Sequence, residues 1–294
     1  MGPPFAWSWS RHRTFLRCER QYAFDYYVAR RGRRRDADPR AVEIARLRSL
    51  VTPPQWVGQV VHSLAERALK AARSGPGAVD AARASWRADV ARALESTNGP
   101  TFEASVYPEL PAEDRGAILA DALDQGEALL AHPLMRRLLA VPERIVEVEQ
   151  HRQLRLGGLR VIVALDVLVR DPAGGLVVID WKTGARPEEV DPGQLALYVA
   201  AVAERFRAPT SRITALIGGT RTGAFYRVPV EEHDVAGLLT EATASAAGMR
   251  ARLSDPDHDR AEESSFPRLP VGHETCARCV YRRACRDHAD IFCP

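Results

Sequence analysis

The chain has 294 residues, a net charge of +3, 46% hydrophobic residues and 27% charged residues. These values are ordinary for a globular protein and provide enough apolar material for one large domain. No apolar stretch approaches the roughly 20 residues that cross a membrane, and the first residues lack the pattern of a signal peptide. We therefore expect a single cytoplasmic domain over 1–294 with no membrane partner.

The predicted elements change type near the middle of the chain. Helical periodicity favours helices at 8–28, 55–74, 78–97, 112–140, 192–206 and 231–253. Alternating or continuous apolar runs predict strands at 144–156, 159–170, 175–181, 212–217 and 224–230. The segment 30–54 reads as a loop with a short helix, and the tail is irregular. The order predicts an α/β core, a mixed sheet flanked by helices, with a helical insertion at 75–140.

Positive charge is concentrated near the N-terminus. Residues 11–48 contain twelve arginines and five acidic residues. Such a segment suits a polyanion, although an arginine-rich surface in solvent would give the same count. We expect Arg31, Arg33, Arg34 and Arg35 to contact phosphates of DNA.

Two apolar runs in the predicted strands end in acidic residues. The first runs to Asp166, and the second ends in Asp180-Trp181-Lys182. Carboxylates on adjacent strands can share one Mg²⁺ or Mn²⁺, because neighbouring strands lie about 4.8 Å apart. Lys182 shares a strand face with Asp180, where it can orient an attacking water or stabilise developing negative charge. Taken alone, an aspartate at a strand end is also typical of a chain that turns into solvent.

This motif resembles the signature of the PD-(D/E)xK nucleases, and the form Val-Ile-Asp-Trp-Lys-Thr-Gly resembles the RecB-type branch. The resemblance implies a restriction-endonuclease-like core with Asp166, Asp180 and Lys182 as catalytic residues. The Gly58–Glu66 stretch is similar to an early helix whose histidine joins the metal shell, which implies His62 as a third ligand. Gln194 and Tyr198 match a Gln-x-x-x-Tyr motif that helps to hold DNA.

The sequence departs from that branch at two places. The turn before the first aspartate usually centres on glycine, but here it reads Val163-Ala164-Leu165. The residue after the first cysteine is usually proline, but here it is Glu19. Neither change removes a catalytic group.

Four of the five cysteines lie in the C-terminal tail. Cys276, Cys279 and Cys285 have the spacing of metal ligands, and Cys18 and Cys293 are both candidates for a fourth thiolate. Zinc is the ordinary occupant of a site made only of cysteines.

The resemblance favours a different occupant for the cysteine site. AddB-type nucleases and the related CRISPR-adaptation nucleases have one cysteine before the nuclease core and three after it, which bind a [4Fe–4S] cluster. The matching residues are Cys18, Cys276, Cys279 and Cys285, which leaves Cys293 spare. The cluster would join the cysteine-rich tail at 266–294 to Cys18, and zinc stays the alternative.

These features together predict a metal-dependent deoxyribonuclease. We expect an exonuclease acting on single-stranded DNA or DNA ends, in repair, recombination or CRISPR adaptation. No helicase motif is present, so any unwinding needs a helicase or another repair or adaptation protein as partner. The alternatives are a non-catalytic DNA-binding or scaffolding protein and a zinc-dependent binding module.

Overall fold

The computed structural model describes residues 5–184, 191–270 and 272–285. By contacts within the chain, these residues belong to two compact units. Unit 1 contains Met1–Leu50, Gly157–Val161 and Leu239–Pro294, and unit 2 contains Val51–Leu156 and Ile162–Leu238. Within the described ranges, no helix has the length and apolar character needed to cross a bilayer.

Twelve α-helical segments lie in the described ranges. In chain order they are α1 Trp9–Arg17, α2 Glu19–Ala23, α3 Ala29–Arg31, α4 Pro39–Arg48, α5 Pro53–Ala71, α6 Ala78–Glu95, α7 Arg115–Ala131, α8 Pro133–Ala140, α9 Pro192–Phe206, α10 Glu232–Ala251, α11 Glu274–Ala277 and α12 Arg282–Cys285.

The strands form one five-stranded mixed sheet in the order β1-β2-β3-β4-β5. Their bounds are β1 Ile145–Leu156, β2 Leu159–Arg170, β3 Leu176–Lys182, β4 Ile213–Gly219 and β5 Phe225–Val228. β2 and β3 are antiparallel, β3 and β4 are parallel with α9 as the connection, and β4 and β5 are antiparallel. The predicted α/β architecture is confirmed.

Two of the predicted helices are interrupted. The helix expected at 8–28 stops at Cys18, which adopts an extended conformation (φ −165°, ψ 114°) and ends α1. Its sulfur then accepts a hydrogen bond from the backbone N–H of Gln21 at 3.4 Å and caps α2. The helix expected at 112–140 breaks between α7 and α8, because Pro133 disfavours a helical conformation at His132.

The long helix α5 is defined at its start and along one face. Thr52 and Gln55 form a capping box, and prolines occupy its first positions. Its apolar face packs with α6, α7 and α8 and with one face of the sheet in a single core, which includes Leu64, Trp86 and Trp181. The opposite face of α5 remains free to carry polar groups, among them His62.

Close helix packing in unit 2 depends on Gly126 of α7. A β-carbon at this position would overlap the ring of Trp86. We expect Gly126→Ala to lower the free energy of unfolding by about 1–3 kcal/mol, as overpacking does in other cores. A β-carbon added at Gly237 of α10 would meet open space, so Gly237→Ala should be neutral or stabilising by up to about 1 kcal/mol. Urea unfolding of both variants checks this, and equal effects at the two sites would contradict it.

Unit 1 contains a buried polar network. The guanidinium of Arg11 lies 3.1 Å from Asp259 Oδ2, and Tyr27 donates a hydrogen bond to Asp259 Oδ1 at 2.8 Å. The tyrosine ring of Tyr22 also lies against the Arg11 guanidinium. Because the buried charge has both an ion pair and hydrogen bonds, the network satisfies its polar groups inside the unit.

Candidate active site

Side chains from three elements of unit 2 converge at one place. His62 of α5, Glu149 of β1 and Asp166 of β2 each offer a ligand atom, and these atoms lie within 4.8 Å of one another. His62 Nδ1 is 3.5 Å from Glu149 Oε1 and 3.5 Å from Asp166 Oδ2. An imidazole and two carboxylates form a donor set suited to Mg²⁺ or Mn²⁺.

The register of β2 and β3 brings the two predicted aspartates together. Val167 pairs with Ile179, and both side chains belong to the apolar core. Asp166 and Asp180 each lie one residue away, so they share the opposite face of the sheet. The backbone N–H of Trp181 donates to Asp166 Oδ2 at 2.8 Å, which fixes the orientation of this carboxylate.

Glu149 is a member of the cluster that the sequence prediction does not include. Its φ of 48° lies in the left-handed region, which non-glycine residues seldom adopt. The preceding Val148 is buried in the core, and the unusual backbone at Glu149 lets its carboxylate approach His62. Backbone strain of this kind is often found at functional sites. The only signal in the sequence is an acidic residue within an alternating strand.

Lys182 is held by a short chain of polar contacts. Its Nζ lies 2.7 Å from Asp180 Oδ2 and donates to Gln194 Oε1 at 3.3 Å. Gln194 Nε2 in turn donates to the hydroxyl of Tyr198 at 2.8 Å. Gln194 and Tyr198 lie one turn apart on α9, whose first turn is capped by Asp191. The structure therefore places Gln194 beside the lysine and Tyr198 beside Gln194.

The electrostatics of the cluster favour a cation. Burial alone would lower the pKa of His62, but its hydrogen bond to Glu149 and the charges of Asp166, Glu149 and Asp180 raise it well above the usual value. Burial raises the pKa of the Asp166 carboxyl, the charge of His62 opposes this, and Asp180 and Glu149 raise it further. Burial and the charges of Asp180 and Asp166 raise the pKa of the Tyr198 hydroxyl, which stays protonated at neutral pH. Closely spaced buried carboxylates are stabilised by positive charge.

A surface groove of about 520 Å³ passes beside His62 and Glu149. Its lining includes the polar side chains of Gln59, Glu66 and Thr183. The cluster is therefore reached from solvent on the polar side of α5.

The four cysteines of the predicted cluster line one small cavity of unit 1, with a volume of about 60 Å³. Cys18 lies between α1 and α2, and Cys276, Cys279 and Cys285 lie in or beside the two short helices of the tail. Residues 286–294, and with them Cys293, lie outside the described residues.

The four thiols lie in a partly buried site that also contains basic side chains. Burial raises the pKa of Cys279 to about 11 and also raises the pKa of Cys285, where the charge of Arg268 acts in the opposite direction. Arg268 and Arg282 line the same cavity. Thiols with raised pKa values must lose protons when they bind a metal, and nearby guanidinium groups stabilise the resulting thiolates. The donor set fits both an iron–sulfur cluster and zinc.

The predicted DNA-binding arginines lie at the end of α3 and just after it, in unit 1. Arg33, Arg34 and Arg35 are exposed, whereas Arg31 is partly buried and donates to the carbonyl of Ala261 at 3.1 Å. A cavity of about 640 Å³ is lined by four arginines (Arg30, Arg31, Arg34 and Arg260) and by two acidic residues (Asp259 and Glu262). Basic residues outnumber acidic ones there, although Glu262 pairs with Arg31.

Comparison with known proteins gives a match over nearly the whole chain. The family model of the PD-(D/E)XK nuclease superfamily matches residues 6–286. The solved crystal structure of SSO0001 shares 17% identity, over 79% of this chain and 84% of that chain, with a TM-score of 0.28. Among curated proteins, none matches the sequence at a significant level.

Proposed function

Because the chain belongs to the PD-(D/E)XK nuclease superfamily, we propose that it is a metal-dependent nuclease with its active site at the cluster around Asp166. The observation that carries this proposal is the approach of His62, Glu149 and Asp166 to within 4.8 Å. His62, Asp166 and Asp180 would hold the ion, and Glu149 would be a further ligand.

The donor set fits a divalent ion of the Mg²⁺ or Mn²⁺ type. Such an ion supplies Lewis-acid chemistry: it lowers the pKa of a bound water and neutralises charge on the scissile phosphate. Asp166 is oriented by the Trp181 N–H, and Asp180 is buried on the same face of the sheet. Both carboxylates are therefore oriented before a metal ion binds, which reduces the entropy that is lost on binding.

Lys182 acts on the substrate beside these carboxylates. Asp180 and Gln194 hold its ammonium group at the end of β3. From there it orients the attacking water or stabilises the negative charge that develops on the phosphoryl oxygens. Hydrolysis joins the water oxygen to phosphorus and breaks the bond to the leaving oxygen, which takes up a proton.

Glu149 provides a direct test of the metal centre. Glu149→Gln should weaken Mn²⁺ binding by about 10- to 100-fold, because a charged oxygen near the ion is replaced by a neutral amide. Isothermal titration calorimetry measures the affinity. Glu66 lines the same groove but pairs with Lys70, so Glu66→Gln is the matched control and should bind Mn²⁺ normally. Unchanged affinity in Glu149→Gln would remove Glu149 from the metal centre.

We propose that Cys18, Cys276, Cys279 and Cys285 hold a [4Fe–4S] cluster, with zinc as the alternative occupant. Support comes from the four thiols around one cavity and the two arginines beside them. The cofactor links Cys18 to the tail of the chain and therefore stabilises unit 1. No redox role is required for that function.

The finer proposal is a deoxyribonuclease of the RecB and AddB type. In this proposal the enzyme is an exonuclease that degrades single-stranded DNA or DNA ends in repair, recombination or CRISPR adaptation, with a helicase or adaptation protein as partner where unwinding is needed. Arg31, Arg33, Arg34 and Arg35 contact phosphates, and Gln194 and Tyr198 help to position the strand. Phosphate contacts of this kind make binding fall steeply with salt concentration.

A cleavage assay with end-labelled substrates tests this finer proposal. Linear single strands and duplexes carry the label at the 5′ or the 3′ end, and a circular single strand and an RNA strand serve as controls. An exonuclease leaves the circle intact and releases label as short products from one end first. Cleavage of the circle would show an endonuclease, and failure to cut any strand with Mg²⁺ or Mn²⁺ would contradict the nuclease function itself.

A further inference from the structure

Two neighbouring aromatic side chains on β5 are exposed to solvent. Phe225 is 41% exposed and Tyr226 is 39% exposed. β5 is the last strand of the sheet on the side of β4. Large apolar side chains on an edge strand promote unwanted pairing, so natural proteins usually avoid or cover them. Their exposure on such a short strand therefore calls for a specific role.

The strand register places Tyr226 on the same face as the catalytic residues. Tyr226 pairs with Ile217 of β4, and Ile217 pairs with Asp180 of β3. Paired residues of adjacent strands project to one face of a sheet, and so do residues two apart on a strand, which adds Lys182 to this face. Two strand spacings put the Tyr226 backbone about 10 Å from that of Asp180.

Phe225 lies on the opposite face and has neighbours there. It pairs with Gly218, and its ring lies 6.3 Å from the ring of His132 and 6.0 Å from the guanidinium of Arg137. By contrast, the aromatic and cation–π contacts found among the described residues do not include Tyr226. The tyrosine is thus a partly exposed ring on the catalytic face, next to a ring of similar exposure on the opposite face.

We propose that Tyr226 stacks against a base of a single-stranded nucleic acid and so positions the strand across the active site. This inference rests on the proposed nuclease function and adds a residue that positions the single strand at that site. Stacking on an aromatic ring is nearly independent of sequence, because every base has an exposed π-face once it is unpaired. Bases within a duplex are stacked and paired already, so this contact selects single strands or frayed ends.

The distance to Asp180 defines which base is held. Successive nucleotides of a stacked strand advance by about 3.4 Å, and an extended strand advances further. The base on Tyr226 is therefore roughly one to three nucleotides from the phosphate that is cleaved. Tyr226 acts in positioning and binding and takes no part in the chemical step.

Binding measurements with two neighbouring variants test the proposal. A fluorescently labelled single strand is titrated into proteins that all carry Lys182→Ala, which suppresses cleavage. Tyr226→Ala should weaken binding by about 5- to 150-fold, the usual effect of losing one stacked base, and Tyr226→Trp should retain affinity. Phe225→Ala is the matched control and should change affinity less than twofold. In the cleaving enzyme, Tyr226→Ala should raise KM and leave kcat nearly unchanged.

A strand with a single abasic position separates stacking from a structural role. With Tyr226 present, removal of the base at one of the three positions nearest the cleaved bond should weaken binding as much as Tyr226→Ala does. With Tyr226→Ala, the same removal should have no further effect. Additive losses, or equal losses in Phe225→Ala, would overturn the proposal.

Different experimental results would contradict the nuclease function and the stacking role. Absence of metal-dependent cleavage by the wild-type protein contradicts the nuclease function. Normal cleavage together with an unchanged KM in Tyr226→Ala contradicts only the stacking role.

Discussion

Replacing Lys182 with alanine should lower kcat for cleavage of a single strand by about 100- to 1,000-fold, with little change in KM or in Mn²⁺ affinity. The ammonium group lies 2.7 Å from Asp180 and donates to Gln194, and in the proposed mechanism it acts beside the reacting phosphate. Its removal takes away a charge that acts mainly in the transition state. Single-turnover cleavage under saturating Mn²⁺ measures the chemical step.

The chain contains one other lysine, which provides a matched control. Lys70 is exposed and pairs with Glu66 on the surface of α5, so Lys70→Ala should cleave at the wild-type rate. Because Lys182→Ala leaves the buried Asp180 without its cation, thermal unfolding in the presence of Mn²⁺ should be recorded for both variants. A fully folded Lys182→Ala protein that cleaves as fast as Lys70→Ala would contradict the assigned role.

If the four cysteines of unit 1 hold a cofactor as proposed, replacing Cys18 with serine should remove it and destabilise the protein strongly. Cys18 and Cys276 are far apart in sequence, and holding them at one cofactor closes a long loop. In the chain-entropy model, a closure of this length contributes roughly 5 kcal/mol. Guanidinium unfolding should therefore show a large fall in midpoint, and elemental analysis should show loss of iron and of acid-labile sulfide.

Cys293 provides the comparison for this experiment. The resemblance to AddB-type nucleases leaves it outside the ligand set, so Cys293→Ser should keep the cofactor and the unfolding midpoint. If the wild-type protein contains zinc and no iron, the occupant of the site is zinc and the cluster proposal is wrong. A Cys18→Ser protein with the full metal content and the wild-type midpoint would contradict the ligand set itself.

Much of the arrangement around Asp166, Asp180 and Lys182 could be predicted from the sequence because strand periodicity is simple. The apolar runs before Asp166 and Asp180 indicate two buried strands, and alternation then places Asp180 and Lys182 on one face. The register found between β2 and β3 puts both aspartates on the same side of the sheet. Helical spacing likewise places Gln194 and Tyr198 on one face of α9.

Contacts that depend on backbone conformation are harder to predict from the sequence. Glu149 joins the cluster through a φ of 48°, which no residue pattern in β1 signals. The extended conformation of Cys18 divides a segment whose aromatic periodicity favours one continuous helix. The hydrogen bond between Lys182 and Gln194 depends on how α9 packs over the sheet, and a single sequence gives the face of a helix without its position.

The most direct test of the metal centre is cleavage of a labelled single-stranded DNA as a function of Mn²⁺ concentration. Wild-type protein, Asp180→Asn and Glu66→Gln are each freed of metal with a chelator and then titrated. We expect no cleavage without metal, saturable recovery in the wild type and in Glu66→Gln, and almost none in Asp180→Asn. Cleavage that persists without divalent metal, or that Asp180→Asn leaves intact, would contradict an active site built on Asp166 of β2 and Asp180 of β3.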